Sequence, residues 1–140
     1  MKKNSGDPEL LPQFLRFAAV GALGFGVDAG TLMLAVHTLS LNLYFGRLIS
    51  FLTAASFTWA LNRRVTFRTV ASRSYFGEWL RFLLSNSVGG LVNFGVYAGM
   101  IHELSLARQA PYLAVAAGSI AGLFVNFSLT KVFVFRASHA

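Results

Sequence analysis

The sequence predicts an all-α membrane protein, with four transmembrane helices arranged as two parallel two-helix repeats and both termini cytoplasmic. Three observations predict it. Hydrophobic residues make up 55% of the 140 positions and charged residues only 12%, about half the roughly 25% of a soluble domain. The few charges leave long uncharged intervals between them. The chain also matches itself at an offset of 65 residues.

The elements follow in order. The interval from Phe17 to Gly46 holds one charge, Asp28, and predicts a first span over 14–38. A second apolar stretch over 43–62 carries Arg47 near its start. Residues 82–102 and 109–130 contain no formal charge, runs of 21 and 22 positions, each long enough for a hydrocarbon core of about 30 Å. They predict spans over 78–102 and 110–131. The connections at 39–42 and 103–109 are short. The chain then divides into a cytoplasmic tail (1–13), a transmembrane domain (14–136, with repeats at about 14–68 and 79–136) and a C-terminal tail (137–140). The N-terminal tail has no apolar core before Asp7 and Glu9 and no small-residue cleavage site, so it does not read as a signal peptide.

Charge placement orients the spans. Lys2, Lys3, Arg16, Arg63, Arg64, Arg68, Arg73, Arg81, Lys131 and Arg136 fall at one side, and Arg47 and Arg108 at the other. The positive-inside rule makes the first side cytoplasmic. The net charge of +7 therefore reports topology and attraction to anionic lipid; no nucleic-acid partner is expected. Without cysteine, disulfide frameworks, thiolate zinc sites and cysteine nucleophiles are excluded. No phosphate loop or hydrolase signature appears. The sequence reads as a non-enzyme with no catalytic residues, metal or cofactor. His37 and His102 lie near the outer face and read as interfacial packing.

In the self-match, Leu15-Arg16-Phe17 falls on Leu80-Arg81-Phe82, Gly24 on Gly89, Asp28 on Asn93 and His37 on His102. After three extra residues in the second outer loop the offset becomes 68, pairing Thr58 with Asn126, Asn62 with Thr130, Arg63 with Lys131, and Phe67-Arg68 with Phe135-Arg136. Each repeat holds two helices, so both start on the same side, as in parallel-repeat transporters. Small residues recur every four positions: Ser50, Ala54, Thr58 and Asn62 on helix 2; Gly118, Gly122, Asn126 and Thr130 on helix 4; Gly26/Gly30 and Gly95/Gly99 on helices 1 and 3. Such stripes predict close helix approach.

Two polar sets stand out as candidate substrate-binding residues. Asp28 lies 12 positions above Arg16, about 18 Å along a helix, and a mid-bilayer carboxylate needs protein, water or a cation beside it. Asn93, the repeat mate of Asp28, and Asn86, seven positions before it, share a face and give helix 3 an interior polar stripe. At the cytoplasmic ends, Asn62, Arg63, Arg64, Asn126 and Lys131, with Arg16 and Arg81, offer amides and cations suited to a phosphate diester.

The segments LRFAAVGALGFGVDAG, TWALNRRVTFR and NFSLTKVFVFR resemble the GtrA-like family of small four-helix bacterial membrane proteins, over nearly the whole chain. The resemblance implies polysaccharide-related translocation of a polyprenyl-phosphate-linked sugar across the inner membrane, and supports Asp28, Asn62, Arg63, Arg64, Asn126 and Lys131. Where the family pattern often reads N-F-x-x-N-R, helix 2 has Thr58-Trp59 before Asn62, and helix 4 keeps Asn126-Phe127 before Thr130-Lys131. Each repeat retains one of two amides. Expected partners are the lipid-linked sugar, anionic lipids, a glycosyltransferase and a second copy of the chain. Two alternatives are a membrane adaptor that recruits the glycosyltransferase and a proton-coupled exporter working through Asp28.

Overall fold

A computed structural model describes residues 8–68 and 74–135. Lys2, Lys3, Arg73, Arg136, residues 1–7 of the predicted N-terminal tail and all of the predicted C-terminal tail lie outside the described residues. Every described element is helical, as expected where water is absent and each backbone donor must find its acceptor within its own segment.

The chain divides into two compact units, Met1–Ser72 and Arg73–Ala140. In the first, α1 (Leu10–Met33) runs into a π-helical turn, Leu34–Thr38, and α2 (Leu43–Leu61) returns antiparallel to it and ends in a π turn, Asn62–Thr66. In the second, α3 (Tyr75–Glu103) and α5 (Pro111–Leu129) form the hairpin, joined by the short α4 (Ser105–Gln109), and α5 ends in the π turn Thr130–Val134.

Local chemistry sets the ends. The Asn42 side chain accepts from the Phe45 N–H at 2.9 Å, and the Ser74 hydroxyl oxygen from the Gly77 N–H at 3.1 Å, each occupying an otherwise orphan donor at a helix start. Pro111 opens α5, where its missing N–H costs nothing. At the end of α3, Arg108 Nη1 donates to the carbonyls of Ile101 (3.1 Å) and His102 (2.8 Å). Each π turn closes with an N–H reaching five residues back: Leu39 to Leu34, Phe67 to Asn62, and Phe135 to Thr130. Ser40 and Arg68 then take left-handed backbone, φ 54° and 43°, which stops the helix.

The outward surface is far more apolar than that of a water-soluble protein. Small or polar side chains such as Ser50, Ala54, Ala55 and Ala114 share the buried positions with Phe17, Phe82, Phe127 and Phe135, while Phe25 (75% exposed) and Leu91 (72%) face outward. Exposed apolar surface of this extent is suited to lipid. Leu10–Thr38 and Pro111–Val134 are each long and apolar enough to cross a membrane, with mean hydropathy 1.7, and only 17% and 28% of their most apolar windows are buried. Such low burial separates them from the core helix of a soluble domain.

The helices extend past the expected spans. Helix 1 begins at Leu10 rather than 14, and the ends predicted at 62 and 131 continue to Thr66 and Val134. Hydropathy marks where the apolar segment stops, whereas Arg63, Arg64 and Lys131 remain helical because their long stems let the charge reach water. The second outer connection, expected as a loop over 103–109, contains α4.

One packing expectation is corrected. Cβ atoms added at Gly26, Gly30, Gly95 or Gly99 would meet nothing within 4 Å, so these glycines do not mediate the close approach of their hairpins. The contact instead passes through Gly24 against Thr58 in the first unit, and through Gly89 against Asn126, Gly118 against Asn93 and Gly122 against Gly89 in the second. The stripes of helices 2 and 4 are on the contact face; those of helices 1 and 3 point away from it.

Positions paired by the offsets make like contacts within their own units. Gly24 meets Thr58 and Gly89 meets Asn126. The Phe17 and Phe67 rings lie 6.1 Å apart, and the Phe82 and Phe135 rings 6.4 Å apart. The π turns at the ends of α2 and α5 occupy paired positions throughout.

Candidate functional site

At the end of the first unit where α1 begins, Gln13 Nε2 reaches the Thr66 carbonyl at 3.5 Å, and the Phe17–Phe67 contact ties the same two segments. These contacts place Arg16 beside the π turn that carries Asn62, Arg63 and Arg64. Asn62 is 2% exposed and its Oδ1 accepts from the Thr66 hydroxyl at 2.7 Å. The π turn thus carries an internal side-chain bond between positions four apart; such turns recur at functional sites. Arg63 is half-buried and Arg64 exposed. Arg16 Nη2 pairs with Glu9 at 3.3 Å, while its Nε is buried without a hydrogen-bond acceptor among the described residues.

Asp28 does find a cation, and it is Arg47. Arg47 Nη1 lies 2.5 Å from Asp28 Oδ2 and 3.3 Å from Ser50 Oγ, and the Ser50 hydroxyl donates to the Arg47 carbonyl at 3.1 Å. Asp28 Oδ1 is buried and unbonded among the described residues. Arg47 had entered the sequence reasoning only as a topological charge. The signal was available: an intramembrane carboxylate calls for a cation, and Arg47 lies near the start of the next helix.

In the second unit, Phe82 against Phe135 puts exposed Arg81 at the same end as half-buried Lys131. Thr130 is fully buried, and its hydroxyl has no hydrogen-bond partner among the described residues. Asn126 Oδ1 is likewise buried and unbonded, against Gly89. Asn86 Nδ2 donates to the Phe82 carbonyl at 3.1 Å within α3. The same intrahelical economy satisfies Ser85, Ser87 and Thr58, which is how hydroxyls and amides tolerate an apolar surround. Asn93 packs against Gly118 and Gly122. Glu78, 2% exposed, was passed over in the sequence, although the offset of 65 pairs it with Gln13.

The ten predicted residues therefore fall into two sets. Arg16, Asn62, Arg63 and Arg64 gather at one end of the first hairpin, with Asp28 farther along α1. Arg81 and Lys131 gather at one end of the second, with Asn86, Asn93 and Asn126 along its length. At the opposite ends, His37 is exposed, and His102 Nδ1 lies 2.7 Å from Glu103 Oε1 with both side chains exposed. Among the described residues, no cluster of three or more metal-ligating side chains occurs.

Each hairpin end carries a basic π turn beside a buried amide or hydroxyl group, and cationic and N–H or O–H donors of this kind suit a phosphate ester. No curated protein matches the chain. A family model described as GtrA/DPMS, transmembrane domain, matches residues 16–135, nearly every position that the structure describes. Long apolar helices agree with a transmembrane domain, and the chain is a membrane protein of the GtrA/DPMS transmembrane-domain family.

Proposed function

We propose that the protein moves a polyprenyl-phosphate-linked sugar across the bacterial inner membrane, and that its four long helices all span the bilayer as two parallel repeats with both termini cytoplasmic. The observation that carries this reading is the recurrence, at positions 62–66 and 130–134, of a basic π turn closing an apolar hairpin. The family match places the chain among membrane proteins of glycosyl carrier-lipid pathways. Like contacts at paired positions favour the two-repeat arrangement. In this reading each hairpin offers its own donors to a lipid phosphate, Arg16, Asn62, Arg63 and Arg64 in the first unit and Arg81, Asn126 and Lys131 in the second. Asp28, Asn86 and Asn93 offer polar groups to the sugar, and the prenyl chain stays in lipid. No covalent step is involved. A second copy of the chain would supply further walls.

The test is reconstitution of the full chain into vesicles carrying a polyprenyl-phosphate sugar in one leaflet, with its appearance in the other measured over time. Wild type should accelerate transfer, and Arg63→Gln with Lys131→Gln should lower the rate at least about tenfold, equivalent to about 1.4 kcal/mol of lost phosphate contact. Folded wild-type protein with no acceleration over empty vesicles refutes the proposal.

A second reading, an adaptor that docks a polyprenyl-phosphate glycosyltransferase, is favoured by Arg64 and Arg68, both exposed at the end of α2. It predicts co-purification of the enzyme, lost on charge reversal at Arg64 or Arg68, with no vesicle transfer.

A further inference from the structure

The Asp28–Arg47 pair has a form that the predicted site did not include. Arg47 engages Asp28 and Ser50 through the same nitrogen, Nη1. Its Nε and Nη2 make no bond among the described residues, and the side chain is 57% exposed against 21% for Asp28. A guanidinium prefers a two-nitrogen grip on a planar or tetrahedral oxyanion. Here that grip is only half used. Asp28 likewise uses one oxygen, with Oδ1 buried and unbonded. The second unit lacks the arrangement: Asp28 is paired with Asn93, and the residue 68 positions after Arg47 is Val115. Arg47 is also on the side of the hairpin opposite the basic π turns, since it lies near the start of α2 while Arg63 and Arg64 follow its end.

We propose that Arg47 is a second phosphate-binding residue, held by Asp28 until a lipid phosphate displaces the carboxylate. The proposal rests on the translocation reading and deepens it by supplying an anion site toward the far end of the first hairpin. Asp28 acts there as an internal competitor. A phosphate ester offers Arg47 two oxygens where Asp28 now supplies one, and the free donors on Nε and Nη2 give the incoming anion a foothold before the ion pair opens. Ser50, fully buried beneath the pair, holds the guanidinium near its place through the exchange.

This assignment makes an unusual prediction of sign. A merely structural ion pair predicts that removing either partner weakens whatever the protein binds. An exchange site predicts opposite effects. Binding is measured by retention of labelled ligand on the full chain in phosphatidylcholine nanodiscs, with polyprenyl monophosphate, phosphatidylglycerol and inorganic phosphate as separate probes. Asp28→Asn should bind polyprenyl monophosphate about 1.5- to 5-fold tighter than wild type, the range expected for releasing a partly exposed ion pair. Arg47→Gln leaves a carboxylate without its cation and can unfold the hairpin. The Asp28→Asn/Arg47→Gln double variant, which keeps a neutral hydrogen-bonding pair, therefore carries the control: the gain from Asp28→Asn should vanish in it, and affinity should fall below wild type. The same order of affinities with phosphatidylglycerol supports the site with a bulk lipid headgroup as its source; the same order with inorganic phosphate supports it with free phosphate. Equal or weaker binding by Asp28→Asn than by wild type, or a gain that survives loss of Arg47, overturns the proposal while leaving translocation to its own assay. Wild type that retains none of the three probes overturns both.

Discussion

The close face between α3 and α5 can be tested with one methyl group. A Cβ at residue 118 would stand 2.5 Å from both the backbone carbonyl oxygen and Oδ1 of Asn93, and 3.3 Å from the carbonyl carbon. Ordinary van der Waals contact begins at 3.4 Å, so Gly118→Ala requires a displacement of about 1 Å at this crossing. The Asn93 amide could rotate away, but the backbone carbonyl is fixed by its helix. Overpacking of this kind costs about 1–3 kcal/mol, partly offset by up to about 1 kcal/mol of improved helix propensity, for a net loss of about 1–2 kcal/mol. Gly99→Ala is the matched control: a methyl there meets nothing within 4 Å, so only the propensity gain applies, and stability should stay level or rise by up to about 1 kcal/mol. Both variants are compared with wild type by circular dichroism during titration of mixed micelles with sodium dodecyl sulfate. If Gly118→Ala proves as stable as Gly99→Ala, the helices do not meet at Gly118, and the distinction between the two glycine stripes is wrong.

Two further outcomes follow from polar satisfaction and topology. Asn62→Ala should cost about 1–3 kcal/mol, because the Thr66 hydroxyl, at 3% exposure, loses its acceptor; adding Thr66→Val should recover much of the loss in the same titration, and failure to recover would mean that Asn62 has another partner. The natural absence of cysteine permits single-cysteine labelling: Leu39→Cys and Gln109→Cys should react with a membrane-impermeant maleimide in intact cells, and Glu9→Cys only after permeabilisation. The reverse pattern would invert the assigned orientation.

The helices were legible because each is written in local terms. Uncharged intervals of bilayer length act within one segment and need no tertiary partner to be read. The basic ends at Arg63 and Lys131 were legible for the same reason. The π turns were not: an N–H that reaches five residues back instead of four differs from a regular helix by a small change of winding, and hydropathy is blind to it. Nor did the residue spacing distinguish Gly26 and Gly30 from Gly24. All three are glycines on α1, and only the neighbouring helix decides which of them is at a contact.

By itself the sequence determined an apolar, helical, oppositely edged chain, since hydrophobic length, charge asymmetry and internal matching are properties of composition along a line. The tertiary structure decided which polar groups face one another. A carboxylate inside an apolar segment must be paired, but the sequence offers several cations; the antiparallel crossing of α1 and α2 selects Arg47 for Asp28. Pairing depends on the rotation of two helices about their axes, and that rotation is set by where their smallest side chains allow the backbones to meet.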